Sequence, residues 1–86
     1  MTDEIELRRR RAAYRAAHRG TKEMDIMIGR YAAAMLPEMS DPALARFEAF
    51  IALPDPELQR WLLTAEETAA PAFTALVAEM RKFHGL

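Results

Sequence analysis

The sequence predicts an all-α protein: a small five-helix bundle forming a single domain over residues 1–86. Three observations predict it. Apolar residues recur at three- and four-residue spacing along most of the chain. Alanine supplies much of a hydrophobic fraction of 51%, and alanine favours helix. The segments between the periodic stretches are short, so neighbouring helices should pack roughly antiparallel. No stretch reads as a strand.

The first helix is expected over about 3–19. Asp3 and Glu6 have capping-box spacing, and Gly20 suits the left-handed position that follows many helix ends. Leu7, Tyr14 and Ala17 lie away from the arginines and are expected to face the core. The second helix is expected over about 22–36, with Met24, Met27, Ile28, Tyr31 and Met35 on one face and Pro37 as its stop. Ser40 is a good N-cap for the third, and Pro42 falls in the first turn, where a missing N–H costs little. Leu44, Phe47 and Ile51 give that helix its buried stripe. In the short fourth helix Asp55 is expected to cap and Pro56 to take the first position, with Leu58, Trp61 and Leu62 facing inward. The fifth is expected to start near Pro71, to bury Phe73, Leu76, Val77 and Met80, and to end at Gly85. Segment 65–70 reads equally as loop or helix.

Size and composition narrow the function. A chain of 86 residues buries only about 60–65% of its unfolded surface, and a deep cofactor cleft would consume that modest core. Binding or chaperone work is favoured over cofactor chemistry. The net charge of -1 points to no polyanion. With no cysteine, disulfides, thiolate nucleophiles and sulfur-ligated metals are excluded. No apolar run approaches the ~20 residues of a membrane helix. The acidic start, Asp3-Glu4-Ile5-Glu6, resembles neither a signal peptide nor a transit peptide, so a cytoplasmic location is expected.

Seven of the 12 basic residues lie between Arg8 and Lys22, uninterrupted by an acid. At about 100° per residue, Arg8, Arg11, Arg15 and Arg19 share roughly 80° of one helical face. Such a row reads either as a solvated face or as a surface for a partner's carboxylates. Nucleic acid is disfavoured, because acids elsewhere cancel the charge.

The run Arg19-Gly20-Thr21-Lys22-Glu23-Met24-Asp25 sets both charge signs beside a glycine in one interhelical turn. Turn chemistry explains each residue separately: glycine at a helix end, carboxylates in the first turn of the next helix. Together they also make a rigid corner that another chain's backbone can approach closely.

The corner resembles the Arg-Gly-x-x-Glu motif, commonly followed by x-Asp, of the bacterial succinate dehydrogenase flavinylation factors. Arg11 and Tyr14 match a basic and an aromatic position before that motif. Asp55, Pro56, Leu58, Trp61 and Leu62 resemble the family's Asp-Pro-x-Leu-x-x-Trp-Leu segment. The likeness covers about residues 8–63. Thr21 departs from it, standing where the family usually has an apolar residue, and the last third carries no matching motif.

The resemblance implies a five-helix assembly factor that is not itself an enzyme. It implies binding to the flavoprotein subunit of succinate dehydrogenase, or of fumarate reductase, and promotion of covalent FAD attachment to a histidine there. On that reading this chain binds no FAD stably. Arg19 would pair with an acidic group or carbonyl of the partner, Gly20 would allow close approach, and Glu23 and Asp25 would hold the partner's donors. Arg8, Arg11 and Arg15 would extend the contact, while Tyr14, Asp55, Pro56 and Trp61 support the motif. The rival reading is a small helical regulator, antitoxin-like or binding nucleic acid or protein.

The remaining candidates have plain explanations. Trp61 is expected in the core. His18 and His84 share no metal-ligand spacing, and His18 joins the basic face. The methionines read as core filler, with Met24 and Met27 as adaptable contacts if exposed. Ser40, the only serine, is a cap rather than a nucleophile.

Overall fold

Short polar side chains set where the helices begin. In the computed structural model, which describes residues 3–64, 66–67 and 70–86, α1 spans Glu4–Ala17, and the Asp3 carboxylate accepts from Ile5 N–H. Helix α2 spans Lys22–Met35 and is capped by Thr21, whose Oγ1 accepts from Met24 N–H. A 3-10 turn over Leu36–Glu38 follows. Helix α3 spans Asp41–Ile51 behind the expected Ser40 cap, which accepts from Ala43 N–H. Helix α4 spans Asp55–Leu63, and α5 spans Thr74–Phe83 after a second 3-10 turn over Pro71–Phe73. The described residues contain five α-helices and no strand.

The core gathers one stripe from each helix. Met24, Ile28 and Tyr31 of α2 are buried with Leu44, Phe47 and Phe50 of α3. Leu58, Trp61 and Leu62 of α4 and Leu76, Val77 and Met80 of α5 close the far side. Phe50 stands at the centre, its ring 6.4 Å from Trp61 and edge-on to Phe73 at 5.5 Å. These offset and edge contacts are the arrangements aromatic quadrupoles favour.

Helix α1 joins this core through alanines. Ala12 and Ala16 are its buried residues, with Ile5 and Ala13 packed at the margin. Gly29 of α2 lies so close that a Cβ there would stand 3.1 Å from Ala17 Cα. The expected inward face of Leu7, Tyr14 and Ala17 is corrected: all three are exposed, Tyr14 at 65%. The small side chains form the contact because only they let the two backbones approach this closely. Periodicity read on large residues alone points to the wrong face.

Three further expectations change. Helix α1 ends at Ala17, not Arg19, because His18 leaves the helical region and its Nδ1–H donates to Tyr14 carbonyl at 2.7 Å. Met35 is exposed rather than core, since the tightened turn after it directs Leu36 and Met39 inward instead. Gly85, at φ 76°, takes the left-handed position after α5, whereas Gly20 does not have a positive φ. Of segment 65–70, Glu66, Glu67 and Ala70 are irregular, and Ala65, Thr68 and Ala69 lie outside the described residues.

Candidate functional site: the Arg-Gly corner

The corner is built from the end of α1, the start of α2 and the α3–α4 junction. Once the chain leaves α1, the Arg19 side chain crosses to that junction. Its Nε donates to Asp55 Oδ1 at 2.9 Å, and its terminal nitrogens donate to Ile51 carbonyl at 2.6 Å and Leu53 carbonyl at 3.0 Å. The guanidinium thus satisfies carbonyls left open at the end of α3, where a cation is also favoured by the helix dipole. The Arg19 side chain is only 11% exposed.

The other Asp55 oxygen accepts from Gly20 N–H at 3.1 Å. Asp55 was expected to cap α4; Pro54 holds the cap position instead, and no side chain caps that helix. The carboxylate turns away to clasp Arg19 and Gly20. This also explains the glycine. A Cβ at Gly20 would stand 3.2 Å from Asp55 Oδ2, so the position keeps a close approach rather than a left-handed turn. Asp25 completes the clasp by accepting from Arg19 N–H.

The motif therefore divides in two. Arg19, Gly20, Asp25 and Asp55 engage one another, which replaces the expectation that Arg19 and Asp25 reach outward. Glu23 and Lys22 sit exposed in the first turn of α2. Glu23 makes no hydrogen bond or ion pair among the described residues. Thr21, the departure from the family pattern, serves as the α2 cap.

The arginine stripe divides similarly. Arg8 bridges to α3, meeting Glu48 at 2.6 Å and Asp41 at 2.8 Å. Hydrogen bonds to Glu48 and then Asp41 raise its already high pKa further. Arg11 and Arg15 remain exposed beside Tyr14, whose ring stacks on His18 at 4.0 Å. Pro56 is exposed in the first turn of α4, and Trp61 is buried further along the same helix. His18 lies on the exposed face as expected, while His84 donates from Nε2 to Met27 carbonyl at 2.7 Å. Met24 and Met27 are buried, so they offer no contact surface.

Residues 10–84 match the family described as flavinator of succinate dehydrogenase. The chain belongs to that family. It is 40% identical over 83 residues to the FAD assembly factor SdhE of Acetobacter pasteurianus, covering 92% of this chain and 76% of that protein. It is also 28% identical over 64 residues to the mitochondrial succinate dehydrogenase assembly factor 2 of Dictyostelium discoideum. That match covers 74% of this chain and 45% of the longer relative. The family match takes in most of α1, the corner, the Asp55–Trp61 segment and α5, and so includes the last third in which no motif was read. No helix among the described residues is long and apolar enough to cross a membrane.

Proposed function

We propose that this chain is an assembly factor for covalent flavinylation. It binds the flavoprotein subunit of succinate dehydrogenase in the cytoplasm and promotes attachment of FAD to a histidine of that subunit. The fumarate reductase flavoprotein is a second client of the same kind. The observation that carries the reading is the family match over residues 10–84, which includes a corner that is internally clasped yet leaves Glu23 unpaired among the described residues.

The clasp has a use in this role. Each nitrogen of the Arg19 guanidinium is held by α3, α4 or the junction between them, so the corner cannot flex without breaking several charge-assisted hydrogen bonds. Glu23 is then presented at a fixed place on the α2 N-terminus. Docked there, the chain would hold a loop of the client in the geometry where its histidine reaches the flavin. Such ordering lowers the barrier without any reacting group from this chain. The bond-forming chemistry belongs to the flavin and its histidine, and the chain acts without being an enzyme or holding FAD of its own.

The test is a strain lacking this protein, its flavoprotein subunit run on a denaturing gel and read by flavin fluorescence. The fluorescence should be lost, return with the wild-type chain, and fail to return with Gly20→Arg or Glu23→Ala. Full fluorescence without the protein, for both the succinate dehydrogenase and fumarate reductase subunits, would count against the role.

A further inference from the structure

Away from the corner, toward the start of α1 and the end of α2, the helix pair forms a cleft of about 220 Å³. Its floor is apolar and made of small or compact residues, Ala13, Ala32, Ala33 and Leu36. Arg9 and Arg10 stand on its α1 side, with Glu6 the single acid along it. Neither arginine joins an ion pair among the described residues. Arg9 donates one terminal nitrogen to Met39 carbonyl at 2.6 Å, while Arg10 is exposed and makes no hydrogen bond among the described residues. An exposed guanidinium with no acceptor of its own is free to meet one from a partner.

The two properties together define an occupant. A cleft of this size takes one apolar side chain rather than a cofactor. The adjacent guanidinium groups suit a carboxylate, which Arg can meet with two parallel hydrogen bonds. We infer that this cleft is a second docking point for the flavoprotein client, receiving one bulky apolar side chain whose neighbour in the client is an Asp or Glu. The inference rests on the proposed function and adds a contact distinct from Glu23. Two separated contacts on one rigid helix pair would fix the orientation of the chain on its client, which a single corner cannot do.

The test measures affinity for the purified, FAD-free flavoprotein subunit with the full chain and three variants. Ala33→Trp fills the cleft from an exposed position, Arg10→Glu reverses an exposed charge beside it, and Glu23→Ala disables the corner. Thermal melting of each variant, followed by circular dichroism, establishes that it folds. Ala33→Trp and Arg10→Glu should each weaken binding about tenfold, the scale of an interface anchor, and the Arg10→Glu effect should shrink at high salt. Wild-type affinity in both, with binding weakened only by Glu23→Ala, overturns the second docking point and leaves the proposed function standing. No binding by the wild-type chain overturns both. A wild-type dimer in sedimentation that Ala33→Trp converts to monomer assigns the cleft to a second copy and also overturns the inference.

Discussion

Arg19 and Asp55 are joined across the α1–α2 turn and the α3–α4 junction by a 2.7 Å ion pair, and the same carboxylate holds Gly20 N–H. The two motifs that carry the family resemblance are therefore one structural unit. A residue pattern at 19–25 and another at 55–62 meet because the guanidinium of the first closes the helix end preceding the second.

Removing the carboxylate should loosen that unit. In Asp55→Ala the guanidinium keeps its carbonyl partners but loses its counter-charge, and Gly20 N–H loses its acceptor. The site is partly shielded, and hydrogen bonds to charged groups contribute about 1.5–3 kcal/mol each when desolvated. A net loss of about 1–3 kcal/mol is expected, which for a domain of this size lowers the melting temperature by roughly 4–24 °C. Thermal melting by circular dichroism checks it, with Asp55→Asn expected to lose less.

Glu23→Ala should behave oppositely. The side chain is exposed and has no partner among the described residues, so stability should stay within about 0.5 kcal/mol of wild type. Flavinylation of the client should nevertheless fall. A melting curve and a flavin assay on the same preparation separate a docking residue from a structural one.

Gly29 tests the close α1–α2 contact. Gly29→Leu would force side-chain atoms into the Ala17 backbone, already 3.1 Å from the position of a first carbon. Overpacking of this kind costs about 1–3 kcal/mol. Chemical denaturation should show a lowered midpoint, while Gly29→Ala, with one carbon to accommodate, should lose less.

Tyr31 gives the protein an alkaline limit. Burial, then its hydrogen bond to Glu79, pushes the phenol well above the ordinary tyrosine value of 10.0. The folded form keeps a proton that the unfolded form releases above that value, so the unfolded state binds fewer protons and stability falls as pH rises. The contribution is whole below about pH 10 and is lost progressively above it. Denaturation midpoints measured across that range should drop in wild type and drop less in Tyr31→Phe.

Most of the fold was legible because large apolar residues and caps are local signals. Ser40, Pro42 and the stripe through Leu44, Phe47 and Ile51 needed only near neighbours to be read. The misread positions depend on distant ones. Asp55 has the chemistry of a cap, and only the fold shows that Arg19 is within its reach. Gly20 looks like a helix terminator until Asp55 is placed against it. The alanines of α1 carry no strong hydropathy signal, and their burial follows from how closely Gly29 lets α2 approach. In the candidate site the sequence drew attention to the corner but did not show its division. Nothing in the run 19–25 distinguishes the carboxylate of Asp25, turned inward, from that of Glu23, left exposed. Arg9 was lost among neighbouring arginines, since its reach to the Met39 carbonyl is visible only in three dimensions.

The most direct measurement is a reconstitution from purified components. Flavoprotein subunit free of FAD is mixed with FAD, with and without this chain, and covalently bound flavin is followed over time. The account predicts faster attachment with the wild-type chain, little acceleration with Glu23→Ala, and no turnover by the chain alone. Attachment at the same rate with and without the wild-type chain would contradict it.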